Sequence, residues 1–443
     1  MVTKVLRIEI KRVINTDKSM FNKVMHDVRY QCWKFANKAI TMLWDYQQFD
    51  FSYKERFGEY FLKEQDKLPN GYKWVGSDIL NVLKKDISML ESNCKDAMIR
   101  MVEQKWNNDL KDVLTGNKSI ATFKRSLPVE LHNKQFMDSK KNVRIFSENG
   151  VYSTVILLLS KRVAREMGMS DGKFHLELLV KDNYQKAIVD RVINGEYKLS
   201  IIKMQYNEDK KKWFLLLAYT FEAQKKQLDE NRVLGIDLGL KIPAMLAISD
   251  NPFFCRVIGN SDEIKMFEKQ VVNRKKRLQK ARVWASEGSI GHGTKTRIKP
   301  LNNIGKKISN YKKTMNNCWS REIINVALRE NCGTIHMENL RGISGRSKFL
   351  KSWTYYQLQQ MIINKASEHG IKVIKIDPSF TSQRCYECGY INKGNRKTQE
   401  EFKCVICGYK CNADLNAARN IAIKDIDKVI LNQLELQKNN LNI

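Results

Sequence analysis

Four cysteines and three carboxylates have the types and positions to do chemistry. Cys385 and Cys388 form one Cys-x-x-Cys pair and Cys404 and Cys407 a second, with fifteen residues between the pairs. Each pair is followed by glycine (CYECG, CVICG). A Cys-x-x-Cys turn brings two thiolates to one side, and two such turns supply the four soft ligands of a closed tetrahedral Zn²⁺ site. The alternative is two disulfides or four unrelated thiols, and nothing marks the chain as secreted. A site closed by four thiolates has no open position for substrate, so this metal holds a small module together.

The carboxylates are Asp237, Glu338 and Asp414. Asp237 interrupts the apolar run VLGIDLG, where an acid is costly to desolvate unless paired, protonated or bound to a metal. Its flanking glycines allow a ligand or another backbone to approach. Glu338 ends the run TIHM, and Asp414 sits among alanines at the start of a helical pattern, where helix capping is the ordinary use of Asp. Hard divalent ions take carboxylate oxygens, and two Mg²⁺ ions can activate water and stabilise the leaving oxygen of a phosphodiester. Three acids converging on one sheet edge would hold them. GIDLG also opens the phosphate-binding strand of actin-like ATPases, but those continue with threonine or serine where this chain has Leu240-Lys241. His336 reads as a strand residue facing a neighbour.

The elements that must position these groups follow from periodicity. Residues 5–14 alternate apolar and charged, as a half-buried strand does. From Asp17 the spacing of Phe21, Val24, Met25, Val28, Cys32, Phe35, Ala39 and Leu43 predicts a helix to about Gln47. A turn at residues 68–71 precedes a second helical block, from Ile79 to Val113, stopped by Gly116. Strand character returns over residues 119–222, with one hairpin about Asn149-Gly150 and another joining residues 198–206 to 213–221. The first strand completes this β-domain. Three closely spaced strands then form a meander over residues 232–258. A very basic helical region follows, broken by a glycine-rich stretch at 288–293 and by Pro300; its last helix closes at Gly333. Strand 334–338, helix 353–369 and strand 371–376 alternate thereafter.

Composition narrows the partners. The 443 residues hold 78 Lys and Arg against 48 Asp and Glu, a formal net charge of +30 spread along the chain. Self-repulsion of that size is relieved by a polyanion, and nucleic acid is the expected one. A membrane is not expected: there is no apolar run of spanning length, no lipidation motif and no basic amphipathic anchor. The first residues lack the apolar core of a signal peptide, so a reducing cytoplasm is expected. The other six cysteines read as ordinary buried thiols, with Cys411 a spare thiol beside the cluster.

GIDLGL, TIHMENL, TSQRCYECG, CVICGYKC and NADLNAARN, in this order, resemble the RuvC nuclease and zinc-ribbon segments of TnpB-type transposon nucleases and of the miniature type V-F CRISPR effectors. KSWTYYQLQQ and KVIKIDPSFTSQRC, with the helical insertion, make the effectors the closer likeness. The resemblance implies a multidomain α/β protein with all-β and helical lobes. In it an RNase H-like nuclease domain (225–383 and 409–443) carries an inserted zinc ribbon (384–408) that loads the DNA strand. A β-barrel-like wedge domain (1–17 and 119–224) and a helical recognition domain (18–118) complete it. It implies that Asp237, Glu338 and Asp414 hold two Mg²⁺, that a guide RNA selects target DNA beside a short motif, and that two protein copies share one guide in a prokaryotic cytoplasm. Arg396 lies near the position of an arginine that supports the active site in that family. A TnpB-like transposon-encoded monomer, and a non-cleaving RNA-guided DNA-binding protein, are the alternatives.

Overall fold

The computed structural model describes residues 1–61, 75–131, 143–222, 226–239, 241–282, 299–339, 355–398 and 400–439. The turn expected at 68–71 and the glycine-rich stretch at 288–293 lie outside them. The chain divides into two compact units, Met1–Glu222 and Ala223–Ile443.

In the first unit, strand β1 (Val2–Val13) is followed by helix α1 (Lys18–Phe57), which Asp17 caps by accepting from the N–H of Ser19 and Met20. The helix runs ten residues past the expected end at Gln47, because no Gly or Pro intervenes before Gly58, whose backbone is left-handed. Its buried stripe, from Phe21 to Leu43, faces the core, whereas Phe49 and Phe57 beyond it stay exposed. The second helical block is broken into α2 (Val75–Val82), a 3₁₀ turn (Leu83–Ile87) and α3 (Ser92–Leu114). Glu91 caps α3. Then come β2 (Val129–Leu131), β3 (Val143–Glu148), β4 (Val151–Leu157), α4 (Lys161–Glu166), β5 (Lys173–Leu179), α5 (Asn183–Ile193), β6 (Lys198–Asn207) and β7 (Lys212–Phe221). Both expected hairpins form, the first turning on Asn149 and Gly150 at positive φ. The antiparallel sheet runs β2-β6-β7-β1-β5-β4-β3, so the first strand completes it from the centre.

The second unit is built on β8 (Asp229–Asp237), β9 (Ala244–Ile248) and β10 (Asn251–Ile258), the expected antiparallel meander. Helices α6 (Ser261–Arg282) and α7 (Lys299–Arg329) follow; Pro300 is tolerated in the first turn of α7, where its missing N–H has no helical acceptor. Strand β11 (Cys332–Glu338) pairs parallel with β8, and after α8 (Tyr355–Glu368) strand β12 (Lys372–Ile376) pairs parallel with β11. Gly333 is not a helix stop: it lies inside β11, where a Cβ would approach Asp229 O to 2.7 Å. The mixed sheet, β10-β9-β8-β11-β12, carries the alternating topology expected of the nuclease domain. The small hairpin β13 (Glu401–Lys403) and β14 (Lys410–Asn412) leads into α9 (Ala413–Ile421) and α10 (Ile426–Asn439).

Candidate active site and thiolate centre

Asp237 is the last residue of β8, in the middle of the mixed sheet, and Glu338 is the last of β11 beside it. Their register pairs Ile236 with Met337, so the two acids end neighbouring parallel strands at the same level. Registered side chains on strands about 4.8 Å apart leave the same face together. Asp414 comes from α9, which packs on this sheet against β8 and β9. Asn412 is the N-cap of α9, accepting from Asp414 N (2.9 Å) and Leu415 N (3.1 Å), so Asp414 occupies the first turn and is not itself the cap.

One glycine allows this helix to reach the strand, and a second marks where Asp414 lies. A Cβ on Gly235 would meet Ala418 O at 2.3 Å and Ala422 N at 2.5 Å, so only a bare backbone lets α9 lie on β8. A Cβ on Gly239 would lie 3.5 Å from Asp414 Oδ2, which places that carboxylate at the end of the strand bearing Asp237. His336 Nδ1 donates to Ile421 O (2.9 Å) and ties β11 to the same helix. Burial lowers its pKa, leaving a neutral imidazole engaged in packing, as its place in the strand predicts.

The electrostatics are those of an under-neutralised acid cluster. Burial pushes the carboxyl of Asp237 well above the usual carboxylate range, and the charges of Glu338 and Asp414 push it further; Arg396 opposes both. Burial raises Glu338, against the Thr381 hydrogen bond and Arg396. Burial also raises Asp414, with Arg396 opposing and Glu400 adding. Arg396 Nη2 stands 3.4 Å from Asp414 Oδ1. Three acids beside one arginine in a partly desolvated site call for added positive charge, and oxygen donors suit a hard divalent cation. The carboxylates do not all close within 4.8 Å of one another, as the four thiols do.

Sequence reasoning did not single out the residues that hold this cluster. Thr381 Oγ1 donates to Glu338 Oε1 (2.6 Å), Gln359 Nε2 donates to Glu338 O (2.7 Å), and Tyr355 OH donates to Gly239 O (2.9 Å). Asn416 and Asn420, four residues apart on α9 and both fully buried, bind the backbone of the first cysteine turn. Their signal was present as the repeating Asn in NADLNAARN.

All four cysteines of the pairs meet. Their sulfurs lie within 4.8 Å of one another, with Cys385 and Cys407 at 3.7 Å and Cys388 and Cys404 at 3.6 Å. No disulfide has such a separation, whereas a tetrahedron with Zn–S of about 2.3 Å has edges of about 3.8 Å. The residues fit a four-thiolate metal. Both turns have one design: the N–H of Gly389 and Gly408, each left-handed, returns to the carbonyl of Cys385 and Cys404. Burial opposes ionisation of Cys404, yet the N–H groups of Cys407 and Ile406 and the thiols of Cys388 and Cys407 bring it down to about 7. Cys411 stands outside the four. Of the remaining cysteines, Cys255 and Cys318 are exposed, contrary to the expectation of buried thiols, because one lies on edge strand β10 and the other on an outer face of α7.

Comparison with known proteins shows the family to which the chain belongs. The family model "Cas12f1-like, TNB domain" matches residues 355–421, from α8 through both cysteine turns to the end of α9. The CRISPR-associated endodeoxyribonuclease Cas12f1 of Sulfoacidibacillus thermotolerans is 38% identical over 433 residues, 98% of this chain and 100% of that protein. That of Syntrophomonas palmitatica is 31% identical over 412 residues, covering 83% of this chain and 81% of its own. Among solved structures, a Cas12f1–sgRNA–target DNA complex aligns with a TM-score of 0.67 at 20% identity, over 95% of this chain and 99% of that one, a likeness of fold. An end-to-end match at this identity leaves one conclusion: the chain belongs to the Cas12f1 family.

Proposed function

We infer that this protein is an RNA-guided DNA endonuclease that binds a guide RNA, recognises a short motif beside its target, and hydrolyses DNA phosphodiesters at one site. The observation that carries the reading is the meeting of Asp237, Glu338 and Asp414 at one end of the mixed sheet in a chain aligned end to end with Cas12f1 relatives. That alignment favours the CRISPR effector over a TnpB-like transposon protein.

In this reading Asp237, Glu338 and Asp414 hold two Mg²⁺ ions. When bound, the ions supply an activated water and charge for the leaving oxygen. Burial, and for Asp237 the charges of the other two acids, raise these carboxyls, and bound cations would offset both effects. Arg396, 3.4 Å from Asp414 Oδ1, would orient that carboxylate and meet a phosphate oxygen. No side-chain base is required, and His336, neutral and bound to Ile421 O, is not positioned as one. Zn²⁺ held by Cys385, Cys388, Cys404 and Cys407 maintains the ribbon that presents the DNA strand.

The +30 charge is distributed to hold an RNA–DNA heteroduplex by its backbone and the displaced strand as single strand. Residues 1–17 and 119–224 serve as the wedge and 18–118 as the recognition lobe. Two copies act on one guide in the prokaryotic cytoplasm; no helix among the described residues is long and apolar enough to cross a membrane. The test is cleavage of a guide-matched duplex: Asp237→Ala or Asp414→Ala should abolish it while DNA binding persists, and unchanged cleavage would remove these acids from the mechanism.

A further inference from the structure

The turn that leads into the first cysteine pair is held in an unusual way. Thr381, 1% exposed, brings its hydroxyl 2.6 Å from Glu338 Oε1 and 3.0 Å from Pro378 O. A hydroxyl has one proton, and an ionised carboxylate is the stronger acceptor, so the proton belongs to Glu338. Helix α9, the helix that carries Asp414, fixes the turn. Asn420 Nδ2 donates to Thr381 O (3.1 Å) and to Arg384 O (2.7 Å), and Asn420 Oδ1 accepts from Arg384 Nη1 (2.7 Å). Asn416 Nδ2 donates to Arg384 O (2.8 Å), and Asn416 Oδ1 accepts from Tyr386 N (3.1 Å). Within the turn, the N–H groups of Gln383 and Arg384 both return to Phe380 O.

We propose that Thr381 is a positioning residue for the acid site: it holds one oxygen of Glu338 so that the other faces the cation, and Asn416 and Asn420 hold the turn that presents it. One buried hydrogen-bonded path thereby joins Glu338, at the end of a strand, to the helix bearing Asp414 and to the thiolate module. The separation of the two acids is set by this path and not by side-chain rotamers alone. Carboxylates that ligate metals depend on such partners, and their loss typically costs about 10–100-fold in metal affinity or activity.

This inference rests on the reading of the three acids as a cation site, and the experiment separates the two. Mn²⁺ binding to the full-length, RNA-free protein is titrated by electron paramagnetic resonance, alongside the Mg²⁺ dependence of guided cleavage. Thr381→Val should weaken Mn²⁺ binding about 10–100-fold and raise the Mg²⁺ needed for half-maximal rate, with zinc content unchanged. Thr381→Ser, which keeps the hydroxyl, should restore most of both. Thr381→Ala replaces the valine variant if that one loses zinc or melts early. Wild-type Mn²⁺ affinity without the hydroxyl, or a serine variant as weak as the valine one, overturns the proposal. Asp237→Ala is the control: if it too binds Mn²⁺ and cleaves normally, the acid site itself is wrong, whereas its failure beside a normal Thr381→Val rejects only the role of Thr381.

Discussion

The three acids differ in how they are held, and their variants should differ accordingly. Asp237 ends a central strand with both other carboxylates near it, so Asp237→Asn removes charge where repulsion is greatest. Cleavage should fall by at least about 10³-fold, as expected when a ligand to a catalytic ion is lost, while the protein becomes no less stable. Relief of like-charge burial even predicts a small rise in melting temperature without divalent metal, readable by calorimetry. Arg396→Ala has the opposite electrostatic sign. It removes the one cation among the described residues that opposes the raised pKa values of all three acids, so each should rise further. A raised carboxylate is lost as a ligand when pH falls through its pKa, so the acid limb of the pH–rate profile should move to higher pH in this variant. An unmoved limb with reduced rate would restrict Arg396 to contact with phosphate.

At the scale of elements, the ion pairs within the β-domain make a separate prediction. Glu177 on β5 is buried between Lys11 and Arg12 of β1, and Glu9 on β1 between Lys181 and Lys212. The hydrogen bonds from these partners hold both carboxyls below their ordinary value, against burial. A depressed pKa gives stability that is present above the unfolded value of about 4.5 and is lost as pH falls through the folded one. Glu177→Gln should therefore weaken amide protection of β1 and β5 at pH 7 by about 2 kcal/mol, and the difference from wild type should shrink toward pH 3. Asn420→Ala should be costlier than its size suggests. It strips the nearer acceptor, at 2.7 Å, from the buried Arg384 guanidinium, leaving Cys385 O at 3.4 Å, and a donor from two backbone carbonyls, and about 2–5 kcal/mol is the scale for such a loss. Release of zinc at a lower denaturant concentration would report it.

Much at this scale was legible in the sequence. The strand-end acids stood out because ionisable groups inside apolar runs have few structural uses, and the cysteine spacing because two turns must converge to make four ligands. The hairpins were legible from Asn149-Gly150 and from alternation. Strand β5 and the short helices α4 and α5 were not read, since six to eleven residues give periodicity little to act on. Helix α1 was cut short because its apolar stripe ends at Leu43 while the helix continues as an exposed aromatic ladder. Thr381 was silent, and the repeated Asn416 and Asn420 went unread, for a different reason. Small polar side chains bond to local backbone in so many ways that only coordinates reveal which distant carbonyl one serves.

For the molecule as a whole, charge and metal carry the account. A chain at +30 should retain RNA through purification at moderate salt and release it steeply as salt rises, because each phosphate contact frees a counterion. Chelation of zinc should unfold the module over residues 384–408 and, through Asn416 and Asn420, disturb the acids without touching them. Mass measurement of the guide-bound particle should find two protein copies per RNA; one copy would favour the TnpB-like arrangement. The most direct test of the central claim uses a DNA duplex matched to the RNA that copurifies with the protein, incubated in Mg²⁺ with wild type and with Asp237→Ala. The account predicts cutting by wild type at a defined place, none with a mismatched duplex, and none by the variant although it still binds the matched DNA. Equal cutting by the variant, or cutting indifferent to the match, would contradict it.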